Sequence, residues 1–218
     1  MNKKALILLS GGLDSLVALD IIKKQGYKIK ALFFDYNQKS YNDELRAVDV
    51  ISNQYSIEYE IIKLPFLTKI TNNSLVNPDE NDFDNLKSVW VPNRNGLFLN
   101  IAASYCDSLD FDFIVFGANK EESKSFTDNK SEYVDIINKA FEYSTMKHPK
   151  VLAPCSEMSK IDLVNYMIDN NLSFRLIKSC YKNTQETGKK HCNQCMSCKL
   201  LYNAIMNSKK PELIKEIF

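Results

Sequence analysis

Apolar residues gather in short runs along this chain, and each run stops at a cluster of Gly, Asp, Asn or Pro. Ala5 to Leu9 is the first, ended by Ser10-Gly11-Gly12-Leu13-Asp14-Ser15. Ile29 to Phe34 is closed by Asp35-Tyr36-Asn37-Gln38, and Glu58 to Leu64 by Pro65. Phe113 to Phe116 is closed by Gly117-Ala118-Asn119-Lys120, and Val151-Leu152 by Pro154. Runs of this length between turn residues predict buried strands. Between them the spacing turns helical. Leu16, Val17, Leu19, Ile21 and Ile22 predict a helix over Asp14 to Gln25, and Leu45, Val48 and Ile51 one over Asp43 to Tyr55. Further helices are predicted over Gly96 to Ser108, Glu132 to Met146 and Ser159 to Asn170, the last with Ser159 as cap and Asp162 in the capping-box region. The stretch after Cys198 (KLLYNAIMNS) reads as a packing helix.

Strands alternating with helices predict an α/β fold, a doubly wound parallel sheet of five strands with helices on both faces. In such sheets ligands bind beyond the carboxyl ends of the strands. The polar clusters after the first, second and fourth strands all fall at that edge, which predicts a single site there. From Thr68 to Trp90 the chain is polar and aperiodic, a length that fits a functional or mobile loop. The expected organisation is one domain over 1–218, with 68–90 a flexible flap and 176–218 a metal-binding carboxyl-terminal segment.

Composition changes this picture little. With 218 residues, 44% apolar and 25% charged, the chain is long enough for a full core. A formal charge of +1 gives no sign of a nucleic-acid-coating protein. No apolar run has the length of a membrane span, and the amino-terminal apolar stretch is too short for a signal peptide. A cytoplasmic location is therefore expected. There, six cysteines argue for metal rather than disulfides.

SGGLDS carries the first chemistry. Two glycines allow a tight turn and a close backbone approach, while the serines and the first helix amides supply donors to an anion. The spacing is not that of a Walker loop, and a carboxylate takes part. Asp14 makes sense in a phosphate site if it holds a divalent cation against the phosphates. The plainer alternative is a strand-to-helix turn capped by Ser or Asp.

Cys180, Cys192, Cys195 and Cys198 form C-x11-C-x2-C-x2-C. Four thiolates close a tetrahedral zinc shell, one structural ion per chain, and Lys189, Lys190 and Lys199 would offset its charge. His191 is read as a neighbour, because the cysteines complete the set. Cys106 falls in a helix interior and reads as core, whereas Cys155 lies close to the expected site with no role assigned.

SGGLDS resembles the pyrophosphate loop of the N-type ATP pyrophosphatases. With FDYNQ (Phe34 to Gln38), VPNRN (Val91 to Asn95), GANKEE (Gly117 to Glu122), SCY (Ser179 to Tyr181) and HCNQCMSC (His191 to Cys198), the chain resembles the QueC (ExsB) family over nearly its whole length. That resemblance implies a sheet like that of the adenine nucleotide alpha hydrolases and an ATP-dependent ligase. It would turn 7-carboxy-7-deazaguanine and ammonia into 7-cyano-7-deazaguanine through an acyl adenylate and an amide. It implies ATP and pyrophosphate contacts from Leu8, Ser10, Gly11, Gly12, Leu13, Asp14, Ser15, Phe33, Phe34 and Gln38, with magnesium at Asp14. Asp14, Arg94 and Lys160 are the expected catalytic residues: the Arg94 fork suits phosphate or carboxylate, and Lys160 would meet the departing phosphate charge. Asn93, Arg94, Asn119, Phe126 and Asp128 are expected to touch the acceptor. A homodimer, with no nucleic-acid or membrane partner, completes the expectation.

The chain departs from the family where a GYPDCR-type segment usually follows the fourth strand. Here Ser125-Phe126-Thr127-Asp128-Asn129-Lys130 stands instead, and Asn37-Gln38-Lys39-Ser40 replaces the usual GQRH. The alternatives are a ligase that stops at the amide or uses another amine, a tRNA-thiolating relative using Cys155, and a zinc-ribbon binding module.

Overall fold

The computed structural model describes residues 3–184 and 191–218; Lys189 and Lys190 lie outside them. Five strands, β1 (Lys4–Leu8), β2 (Lys28–Asp35), β3 (Glu58–Lys63), β4 (Phe113–Val115) and β5 (Lys150–Leu152), form one sheet in the order β3-β2-β1-β4-β5. Every neighbouring pair is parallel. The chain winds outward one way from β1 to β3, returns, and continues the other way through β4 to β5. The turning point lies between β1 and β4, as predicted for a doubly wound sheet.

The helices are α1 (Leu13–Lys24), α2 (Tyr41–Tyr55), α3 (Leu67–Ile70), α4 (Arg94–Leu109), α5 (Glu122–Ser125), α6 (Ser131–Ser144), α7 (Lys160–Asp169), α8 (Met196–Met206) and α9 (Ile214–Ile217). They split between the two faces. Ala5, Ile7 and Leu9 of the first apolar run join the core under α1, α2, α7 and α8, while Leu6 and Leu8 join the core under α4 and α6. This period-two division explains why β1 reads as an unbroken apolar run: both of its faces are covered. Ser159 accepts from the Asp162 amide and Asp162 accepts from the Ser159 amide, completing the capping box that starts α7. No described helix is long and apolar enough to cross a membrane.

The segment between α3 and α4 carries more structure than its lack of periodicity implies. Leu75, Val76, Phe83 and Val89 are buried in the second core. Asx-type bonds shape its turns: the Leu75 amide donates to Asn73 Oδ1, the Asp79 amide to Asn77 Oδ1 and the Lys87 amide to Asn85 Oδ1. The Asn and Asp content that hides any period is what folds the segment.

Candidate active site and metal cluster

One cavity opens at the carboxyl ends of β1, β2 and β4, floored by Leu8, Phe33, Phe34 and Phe116. The SGGLDS turn forms one side. Gly11 has φ +76°, and a Cβ there would lie 2.8 Å from Ala47 Cβ, so glycine lets α2 press against the turn. Gly12 caps α1 from an extended conformation with no side-chain capping bond. The capped-turn alternative, with Ser or Asp on the first helix amides, is therefore not what this turn adopts. Ser10 Oγ and Ser15 Oγ lie 3.2 Å apart, and Ser15 Oγ donates to the Gly12 carbonyl at 3.0 Å. Across the turn, Gly117 closes on α1: a Cβ at Gly117 would lie 2.9 Å from the Ser15 nitrogen.

Asp14, Glu122 and Lys160 meet in the cavity wall. Lys160 Nζ donates to Asp14 Oδ2 at 2.8 Å and to Glu122 Oε1 at 2.9 Å. The lysine is buried at the first position of α7, where the helix dipole opposes a cation, and two carboxylates hold it there. Burial would lower its pKa, but Asp14 and Glu122 raise it well above the ordinary lysine value. Burial pushes the Asp14 carboxyl up against the pull of Lys160. Burial acts the same way on Glu122, but there the lysine wins and holds the carboxyl below its usual range. Asp14 Oδ1 is buried without a hydrogen-bond partner. An acceptor left open beside this glycine turn fits a divalent cation.

Arg94 opens α4 and lines the same cavity. Its Nη1 donates to the Tyr36 hydroxyl at 3.2 Å, and the guanidinium lies over the Tyr36 ring. Asp128 and Phe126 line the cavity near it. Burial raises the Asp128 carboxyl, with Arg94 opposing. Gln38 both lines the cavity and braces it, accepting from the Tyr36 amide and donating to the Phe34 carbonyl and to Glu44 Oε2.

Four of the predicted residues are not part of the cavity wall. Gly11 and Leu13 lie behind the turn, against α2 and in the core. Asn93 sits just before α4 with φ 51°, packed against Gly96. Asn119 is fully buried, with Oδ1 accepting from the Glu122 amide. These four hold the turns that carry their neighbours. Sequence reasoning missed Glu44, Glu122, Lys178 and Tyr181, all on the cavity wall. Glu122 and Tyr181 stand inside motifs that had been singled out; Glu44 and Lys178 sit on unremarkable helix and loop positions.

Cys180, Cys192, Cys195 and Cys198 converge with their sulfurs within 4.8 Å of one another, a group that could hold a metal ion. The donor set fits: the Lys182 amide points to Cys180 Sγ at 3.4 Å, and the Gln194 and Cys195 amides to Cys192 Sγ at 3.4 and 3.3 Å. Such bonds favour thiolates. His191 stays outside the group: it accepts from the Ser179 amide at Nε2, and Nδ1 faces the Ile217 carbonyl. Lys199 pairs with Asp84 on the surface. The cluster abuts the cavity, because Ser179, Tyr181 and Ser197 line it and the Lys178 amide donates to the Gly11 carbonyl at 2.7 Å.

The family model described as "Queuosine biosynthesis protein QueC" matches residues 4–209. The chain belongs to the QueC family. Among QueC relatives, it is 39% identical to the 7-cyano-7-deazaguanine synthase of Carboxydothermus hydrogenoformans over 93% of this chain and 98% of that one. It is also 39% identical to the 7-cyano-7-deazaguanine synthase of Methanosarcina mazei, over 89% and 90% of the two chains. Among solved structures, a 4-thiouridine synthetase in complex with RNA and with bound ATP superposes with a TM-score of 0.53 at 17% identity. It covers 98% of this chain and 52% of that one, so the likeness is one of fold.

Proposed function

We propose that the chain is an ATP-dependent carbon–nitrogen ligase making 7-cyano-7-deazaguanine from 7-carboxy-7-deazaguanine and ammonia. The observation that carries this reading is the meeting of the SGGLDS turn, Lys160 and Arg94 on one cavity at the switch point of the sheet. Its relatives of matching length carry that synthase name.

In the proposed chemistry an acceptor carboxylate oxygen attacks the α-phosphate of ATP, and the bond to pyrophosphate breaks. Ammonia adds to the acyl carbon, AMP leaves and an amide remains. The amide oxygen then attacks the α-phosphate of a second ATP and a second pyrophosphate leaves; loss of AMP and protons from that adduct gives the nitrile. Ser10, Gly12 and Ser15 would hold the pyrophosphate through hydroxyls and amides. Asp14 Oδ1 would hold the magnesium that travels with it. Lys160 would exchange part of its pairing with Asp14 for the charge growing on the leaving phosphate. Arg94 would orient the carboxylate, and backbone groups near Phe33 and Phe34 would take the adenine. None of these side chains becomes a nucleophile, so rate comes from position and charge. Zinc is the proposed ion of the four cysteines and acts structurally.

The test is incubation of the purified chain with 7-carboxy-7-deazaguanine, ATP, magnesium and ammonium, followed by mass spectrometry. Nitrile with AMP is the expected result. Consumption of neither ATP nor the deazapurine would overturn the reading.

A further inference from the structure

Trp90 is the only tryptophan in the chain and stands at the rim of the cavity. It is 37% exposed, while Val89 and Val91 on either side are buried. Those two anchors fix the backbone, and the Trp90 carbonyl accepts from Asn73 Nδ2 at 2.8 Å. The backbone is thus fixed and the indole stands in a half-open place, where part of its large apolar surface lacks cover.

Its ring lies against Phe126, with centroids 5.8 Å apart and planes 13° from parallel. The stack joins two segments distant in sequence, the Asn-rich stretch before α4 and the turn after β4. Two nearly parallel rings at a cavity mouth make a flat apolar wall. Such a wall favours a flat ligand, because any aromatic base offers a π face. Asp128 and Arg94 line the cavity beside it. Asp128 accepts hydrogen bonds, which suits the adjacent N–H groups of a guanine-like edge better than the single amino group of adenine. Arg94 suits a carboxylate on the same ring system.

We infer that Trp90 determines acceptor specificity: its indole, backed by Phe126, stacks on the bicyclic base of the acceptor. This rests on the ligase reading above. A planar base with a donor edge and a carboxylate finds a matching group for each feature in one cavity wall.

The lone tryptophan makes its own probe. Full-length, metal-loaded protein titrated with 7-carboxy-7-deazaguanine in the absence of ATP should show saturable quenching of indole fluorescence. Trp90→Ala should raise KM for the deazapurine on the order of tenfold, leaving KM for ATP and metal content unchanged, and Trp90→Phe should restore most of the loss. Quenching by ATP but not by the deazapurine, or an equal rise of both KM values, would overturn the assignment. Nitrile formation without quenching, with an unchanged KM in Trp90→Ala, would overturn the stack and keep the reaction. Saturable quenching without amide or nitrile would keep the stack and overturn the reaction.

Discussion

Lys160 Nζ lies 2.8 Å from Asp14 Oδ2, an ion pair that ties the start of α7 to the start of α1. Glu122 completes the group from the turn after β4. Lys160→Met would leave two carboxylates facing each other out of water. Removing one partner of a buried pair costs about 3–5 kcal/mol. The loss should be full near pH 8 and smaller near pH 5. There the stranded carboxylates take up a proton in the folded state, and stability falls again as pH rises past their ordinary range. Urea unfolding at both pH values checks this; equal stability of variant and parent at pH 8 would refute the coupling.

Asp14→Ala should remove the open oxygen that fits a cation together with one partner of Lys160. Loss of a charge-positioning group costs about 100-fold or more in turnover. AMP release should fall by at least that factor, while the metal content of the cysteine cluster stays at that of the parent. Mass spectrometry of AMP beside metal analysis of the same sample separates the two sites, and a simultaneous loss of metal would show them to be coupled.

The cysteine cluster should nevertheless support the cavity from outside. Cys180 lies two residues beyond Lys178, whose amide holds the Gly11 carbonyl, and the Met196 amide donates to the Phe83 carbonyl. Cys192→Ala is expected to abolish stoichiometric metal binding and lower the unfolding midpoint by several degrees, since ligand-set folding energy is lost. A chelator strong enough to strip the parent should do the same. An unchanged midpoint in metal-free protein would show the cluster to be dispensable for the fold.

The sheet was legible in the sequence because β1, β2 and β4 are covered on both faces, which leaves apolar runs of strand length ended by Gly, Asp and Asn. The SGGLDS turn was legible as a strand-to-helix turn because two glycines and an acid stand between such a run and a helical period. The wall opposite was not. Glu44 and Lys178 read as ordinary helix and loop charges, and only the parallel winding brings them to the cavity. Asn119, in the polar cluster after β4, is an acceptor contact by resemblance, yet its side chain turns inward to hold the Glu122 amide. Position at a strand end places Asn119 near the site; which residues face the cavity depends on turns and helix placement that no periodicity encodes.

Cys155 is fully buried, and burial pushes its thiol up to about 12. Its sulfur faces the Asp14 carbonyl rather than the cavity. A thiolating enzyme would need a thiolate it can present to substrate. Iodoacetamide at pH 8 should leave Cys155 unmodified in the native protein, and Cys155→Ala should retain AMP release. Rapid alkylation of Cys155 with loss of turnover would favour thiolation.

Asp43 gives the fold an acid-sensitive contact beside the SGGLDS turn, through Lys178, whose amide donates to the Gly11 carbonyl. Burial would raise its carboxyl, but Lys178 Nζ at 2.8 Å and the Thr184 amide at 2.9 Å hold it below the ordinary 3.8. A carboxyl depressed in the folded state binds fewer protons there than in the unfolded chain, so its contribution is complete above the unfolded value and disappears as pH falls through the folded one. Hydrogen bonds to a charged group are worth about 1.5–3 kcal/mol. Asp43→Asn should therefore lose about that much stability at pH 7 and show a flatter decline than the parent as pH drops below 3.8. Urea midpoints collected from pH 7 downward test it, and parallel profiles for the two proteins would place the acid sensitivity elsewhere.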